Sequence, residues 1–256
     1  MKLQFALLVA ASGLVALSGA ARCADAPAPT PQSNAAEHPW EKDEALLQAT
    51  IASVRKYGMK AVGAHASDLE MAVARARSVF EIAARSDDKT DGSKDSAGAA
   101  DKPNNVVIPE PNPYPGIGFF LGTYYDESGK PQDGLRILEV TLDLPGTSSD
   151  PHLVDLLIER GAAYAALKQW DNALASYEDA LKPEGTAPGV RAYIYRGKGL
   201  VLVEMGRMAE GKITYEEELK LTVNDPAAQR NLDMIEQLRD GGPKQPGQFA
   251  PSPAKP

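Results

Sequence analysis

A single cysteine, Cys23, in 256 residues leaves nothing for an intrachain disulfide framework. Histidine is scarce too. His38, His65 and His152 are scattered and none stands in HExxH or a similar ligand spacing, so no histidine-based metal site is expected. The chain has no Walker phosphate loop and no GxSxG, which leaves nucleophilic and phosphoryl-transfer catalysis without support. Asp126-Glu127-Ser128-Gly129-Lys130 resembles the start of a calcium loop, but Lys130 stands where an oxygen ligand is needed and the closing glutamate is missing. It reads as a turn. An excess of basic charge is also lacking: 27 Lys and Arg face 35 Asp and Glu, a net charge of −8. Nonspecific binding to nucleic acid or anionic lipid depends on clustered cations, so neither is expected as a partner. The sequence therefore predicts no enzyme, no catalytic residue, no cofactor and no metal.

Long apolar runs are lacking as well. Phe5 to Leu17 is the longest, broken by Ser12 and Gly13, and it falls short of the ~20 residues that span a bilayer. With Lys2 before it and small residues after, residues 1–26 read as a cleaved secretory leader of bacterial style. Ala24-Asp25-Ala26 is the expected cleavage site, with Gly19-Ala20-Ala21 as a competitor. The expected location is the periplasm or the exterior. A lipoprotein would run from small residues directly into its acylated cysteine, whereas Arg22 precedes Cys23, so a lipid anchor is not expected.

What is present is helical and unevenly distributed. The 20 prolines and 22 glycines crowd the ends and one central stretch. Residues 27–36 are a Pro-rich polar spacer with nothing to bury. Residues 37–86 predict a helical hairpin. Its first helix opens at Pro39, carries Leu47, Ile51 and Val54 on one face and stops at Gly58. The second opens with Ser67 and Glu70 spaced as a capping box and continues through Leu69, Ala72, Val73, Ala76, Phe80 and Ala83. Residues 87–114 form a polar, Pro-rich linker, with Val106, Val107 and Ile108 able to pack back onto the repeats. Residues 241–256 are a Pro-rich tail.

Between these lies a stretch, 115–240, in which one pattern recurs. Taking Gly122, Gly161 and Gly199 as equivalent, the copies lie 39 and 38 residues apart. Three positions on come Tyr125, Tyr164 and Leu202; twelve on, Gly134, Ala173 and Gly211; sixteen on, Leu138, Tyr177 and Tyr215. Leu142, Leu181 and Leu219 close each unit. Alternating small and large residues let one helix receive its neighbour, so helix pairs can stack closely. Asp150-Pro151 and Asp225-Pro226 supply capping signals, and Leu232, Ile235 and Leu238 mark a last amphipathic helix that would cover the open end.

This order and spacing resembles the tetratricopeptide repeat, a 34-residue helix-turn-helix unit with small and aromatic residues at these offsets. Gly129 and Gly206 match its turn glycine, Lys168 replaces it in the middle copy, and Thr141 and Glu218 stand where the family prefers alanine. The resemblance implies an all-α fold: an α-solenoid of about three helix pairs with a C-terminal capping helix, preceded by the hairpin. Ala76, Phe80 and Ala83 raise the question of a degenerate fourth unit, although any Ala-rich amphipathic helix gives that spacing often.

The resemblance further implies a concave groove lined by the first helix of each pair. Its lining positions are Phe119, Thr123 and Asp126, then Ile158, Ala162 and Ala165, then Tyr193, Arg196, Leu200 and Val203. Some relatives clamp a peptide carboxylate there with Lys, Arg and Asn. Only Arg196 suits that role, so a partner helix or extended peptide with apolar anchors is expected instead. The run Glu216-Glu217-Glu218 reads as a solvated helix face. Two functions remain: an exported protein-protein interaction module or scaffold serving envelope or secretion assembly, or a non-catalytic accessory subunit or domain of an envelope enzyme.

Overall fold

The computed structural model describes residues 39–87, 108–222 and 225–239. The leader with Cys23, the spacer, the linker residues 88–107 and the tail lie outside the described residues, as do Val106 and Val107. Among the described residues the protein is all-helical, and nine α-helices follow one another: α1 (Pro39–Tyr57), α2 (Ala66–Asp87), α3 (Tyr114–Glu127), α4 (Pro131–Leu142), α5 (Leu153–Ala166), α6 (Trp170–Leu181), α7 (Pro188–Glu204), α8 (Met208–Leu221) and α9 (Pro226–Arg239). Two short 3-10 helices, Met59–Ala64 and Thr147–Ser149, join α1 to α2 and α4 to α5. None of the described helices is long and apolar enough to cross a membrane.

Local chemistry sets most boundaries. Proline opens α1, α4, α7 and α9, where its missing N–H costs nothing. Gly58 ends α1 at φ 74°, and its N–H closes on the Val54 carbonyl at 2.8 Å. The expected capping box at Ser67 does not open α2. The 3-10 helix delivers the chain already turning, so α2 starts at Ala66 and the Leu69 N–H bonds the His65 carbonyl at 3.0 Å. Glu70 is thereby free to bond across helices. Its carboxylate accepts the Tyr125 hydroxyl at 2.5 Å and Arg136 at 3.3 Å, tying α2 to α3 and α4. The hairpin is welded on by packing as well. Leu47, Val54, Leu69 and Val73 share one buried cluster with Ile117 and Leu121 of α3.

Three antiparallel pairs come next along the chain, α3/α4, α5/α6 and α7/α8, each held by a glycine facing a large side chain sixteen residues on. A Cβ at Gly122 would lie 2.7 Å from Leu138, one at Gly161 2.9 Å from Tyr177, and one at Gly199 2.7 Å from Tyr215. Such distances exclude any side chain without rearrangement, which is why these helix pairs can approach so closely. Ala173, Tyr177 and Tyr215 are buried accordingly, and Gly211 receives Val203 from the opposite direction. Successive pairs contact through α4 with α5 and α6 with α7, and also through α3 with α5 and α5 with α7.

The turns inside the pairs need a left-handed residue. Gly129 and Gly206 supply it at φ 72° and 80°, and in the middle pair Lys168 is forced to φ 59°. A side chain there costs about 1 kcal/mol or more. Lys168→Gly should therefore raise the urea midpoint, with a gain of up to about 1 kcal/mol; an unchanged or lower midpoint would show that the lysine is unstrained.

Thr141 and Glu218 are accommodated differently. Thr141 is fully buried against Gly118, and its hydroxyl donates to the Ile137 carbonyl at 2.8 Å. Glu218 is also fully buried, which corrects the expectation that the run 216–218 is solvated throughout. Its helix turns that position toward α7, where Arg196 Nε donates to Glu218 Oε1 at 2.6 Å and Nη2 to Asp225 Oδ2 at 2.6 Å. Asp225 caps α9 through the Ala227 N–H at 2.8 Å, and Leu232 and Ile235 of α9 close over Val203 and Tyr215.

Candidate functional site

Helices α3, α5 and α7 form a row in which each touches the next. All ten residues expected to line a groove lie on these helices, and packing divides them. Thr123, Ile158, Ala162, Ala165, Leu200 and Val203 are at most 8% exposed, so they are chiefly mortar between helices. Phe119, Asp126, Tyr193 and Arg196 keep partial access to solvent. Phe119 stacks on His152, with ring centroids 6.1 Å apart and 14° between planes, and packs edge-on against Phe120. Arg196 is turned into the bonds with Glu218 and Asp225 just described, so its charge is spent on holding α7, α8 and the start of α9 together. Of the aromatic residues that define the repeat, Tyr125 bonds Glu70, and the Tyr164 hydroxyl donates to Glu139 at 2.6 Å.

What gathers on this row instead is a set of carboxyl groups. Glu159 of α5 lies within electrostatic reach of Asp126 and Glu127 of α3 and of Asp155 on its own helix, while the Thr123 hydroxyl donates to the Phe119 carbonyl at 2.9 Å and Asp155 pairs with His152 at 3.5 Å. Burial raises the Glu159 carboxyl to about 8, with the Asp126 charge adding to the effect. Burial likewise lifts Asp126 to about 6, helped by Glu127. Tyr193 of α7 completes the rim: burial raises its phenol, with the charges of Glu159 and Asp126 adding and that of Arg196 opposing.

A fourth helix contributes from behind. Tyr177 of α6 passes between α5 and α7 through a slot made of two glycines. A Cβ at Gly161 or Gly197 would lie 2.9 or 2.6 Å from its ring, and one at Gly197 would lie 2.8 Å from its hydroxyl. The side chain is 2% exposed. Burial raises its phenol well above the ordinary value, with the charges of Tyr193, Glu159 and Asp126 adding.

No family model matches this chain, and no curated protein does. The site therefore has to be read from its own chemistry. Among the described residues no group of three or more His, Cys, Asp or Glu side chains is arranged to hold a metal ion, so the acidic cluster is a set of carboxyls without a coordination geometry. Sequence reasoning did not single out Glu159, Asp155 or Gly197. Glu159 follows Ile158 directly and lies two positions before Gly161, so only the contact of α5 with α3 brings it within electrostatic reach of Asp126. Gly197 was legible in principle, as a second glycine one turn or less from Gly199 in a helix where glycine is costly.

Proposed function

We propose that this protein is an exported, non-catalytic interaction module: a solenoid of about three tetratricopeptide-like helix pairs, α3/α4, α5/α6 and α7/α8, preceded by the α1/α2 hairpin and closed by α9. It holds a peptide or helix of a protein partner along the face shared by α3, α5 and α7, which this reading makes the concave one. The observation that carries it is that α3, α5 and α7 touch in a row and leave side chains from all three pairs partly accessible, Phe119 and Asp126, Glu159, and Tyr193. Such a row of partly accessible side chains suits recognition of an extended ligand. Periplasmic or secreted placement, and a role in assembling an envelope or secretion complex, rest on the leader.

A photoreactive amino acid at position 126 or 193 should crosslink a partner in whole cells. The same group at Asn172, exposed on α6, should not. Crosslinking from position 172 with none from 126 and 193 would place the partner on the other side and end this reading.

A further inference from the structure

We infer that α9 is a proton-controlled cap, closed over α7 and α8 while Glu218 is protonated and released when Glu218 ionises. The inference stands apart from the peptide-binding reading, because it concerns the end of the stack rather than the row of α3, α5 and α7.

The hub is one guanidinium shared by two acids that belong to different elements. Arg196 of α7 donates Nε to Oε1 of Glu218 on α8 at 2.6 Å, and Nη2 to Oδ2 of Asp225 at 2.6 Å. Asp225 is where α9 begins. Its other oxygen, Oδ1, accepts the N–H groups of Ala227 at 2.8 Å and Ala228 at 3.4 Å, so one carboxylate both caps α9 and ties it to α7. Further along, Lys212 of α8 donates to Glu236 of α9 at 3.1 Å, an exposed pair that adds little. Between these ties Ala228 is fully buried, and Leu232 and Ile235 close over Val203 and Tyr215. Glu218 is the weak member of the hub. It is fully buried, its Oε2 has no hydrogen-bond partner among the described residues, and neither has the buried hydroxyl of Tyr215, three residues earlier on the same helix face. A protonated Glu218 carries a donor as well as acceptors and leaves the guanidinium to Asp225. An ionised one keeps a charged oxygen out of water and competes for the single cation.

The titratable and charged groups that act on Glu218 are Arg196 on α7, Tyr215 on its own helix and Asp225 at the start of α9. Burial raises the Glu218 carboxyl from 4.5 to about 7, with Arg196 opposing and Asp225 adding. Lifting α9 takes Asp225 out of the hub and admits water, so the carboxyl returns toward its ordinary value. The closed cap therefore binds a proton that the open one releases. This contribution to closure is complete below about pH 4.5 and is lost as pH rises through about 7. Asp225, held below its ordinary value of 3.8, titrates beneath this window. With the cap lifted, α7 and α8 become an uncovered end of the stack, the position that terminal elements of helical arrays exist to shield.

The test is native-state hydrogen exchange of the 15N-labelled full chain between pH 5.5 and 8.5, read as protection factors so that the intrinsic pH dependence of exchange cancels. Amides of Leu232 and Ile235 report on α9, and those of Leu174 and Tyr177 on α6, inside the stack. The α9 amides should be less protected than those of α6 at every pH, and their protection should fall by about tenfold or more from pH 5.5 to 8.5. Glu218→Gln, which cannot ionise, should flatten that fall. Asp225→Asn should do the same, since it keeps an oxygen to cap α9 and removes the competing charge. Equal protection of α9 and α6 throughout would mean that the cap opens only with the whole protein, and would overturn the proposal. So would an α9 profile without pH dependence in the parent, or one that persists in Glu218→Gln or, where that variant does not fold, in Asp225→Asn.

Discussion

Arg196→Met is expected to destabilise the protein by about 3–5 kcal/mol in urea unfolding at pH 8.5, and by clearly less at pH 5.5. The arginine serves two carboxylates at once, Glu218 and Asp225. Glu218 is fully buried, and one of its oxygens, Oε2, has no hydrogen-bond partner among the described residues. Burial raises its carboxyl to about 7, with Arg196 opposing and Asp225 adding, because one guanidinium cannot neutralise two acids equally. Asp225 keeps its charge more easily, lowered by the N–H groups of Ala227 and Ala228 and by Arg196 against the cost of its own burial. Removing the arginine at high pH strands a buried carboxylate. Acid lets Glu218 take up a proton, and a neutral carboxyl costs much less to bury. Arg196→Met combined with Glu218→Leu should recover most of the loss, since replacing both members of a buried pair by apolar groups is far milder than removing one. Equal destabilisation at the two pH values would show that the arginine acts through packing of its stem rather than through charge.

That triad shows how far the sequence could be read. The spacing of Gly122, Gly161 and Gly199 predicts which helix faces approach closely, because the contact depends on local periodicity: a small residue and a large one sixteen positions later on the returning helix. The helix boundaries at Pro39, Gly58, Pro131 and Pro226 follow from backbone chemistry that acts over a few residues. Ser67 was legible as a cap only if the chain entered α2 from an extended segment, and the 3-10 helix before it removed that condition. Glu218 was misread for a different reason. A run of three acids looks solvated unless the cation that can bury one of them is known, and Arg196 lies 22 residues away on another helix. The same holds for the site. Phe119, Asp126, Tyr193 and Arg196 were placed on the right helices by register, but whether a side chain at such a position is sealed between helices or left accessible depends on how successive pairs pack. Thr123, Ile158, Ala162, Ala165, Leu200 and Val203 fall on the sealed side. Glu159 became visible only through α3 and Tyr177 only through the slot at Gly197, both contacts between pairs rather than within one.

The acidic face should also give the protein an unusual response to pH: its melting temperature is expected to rise as pH falls from 8.5 to 5.5. Glu159 and Asp126 bind their protons more tightly when folded, Glu159 to about 8 and Asp126 to about 6, and Glu218 behaves likewise near 7. In the unfolded chain these carboxyls return to about 4. Between roughly pH 4.5 and 8 the folded protein therefore holds protons that the unfolded chain has released. Stability in that window falls as pH rises, and the contribution is complete below the unfolded values and lost as pH passes the folded ones. Asp225 and Asp179 are lowered and act in the opposite sense, but below about pH 4, outside the window. Between pH 8.5 and 5.5 Glu159 alone contributes on the order of 3 kcal/mol and the three groups together about twice that, at about 2–4 °C per kcal/mol for a chain of this size. Glu159→Gln isolates the largest single contributor. The amide has no charge to desolvate, so the variant should melt higher than the parent at pH 8.5, match it near pH 5.5, and show a visibly flatter profile between them. A variant that melts lower at pH 8.5 would mean that Glu159 is ionised and paired at that pH, and that the row of α3, α5 and α7 carries no uncompensated charge.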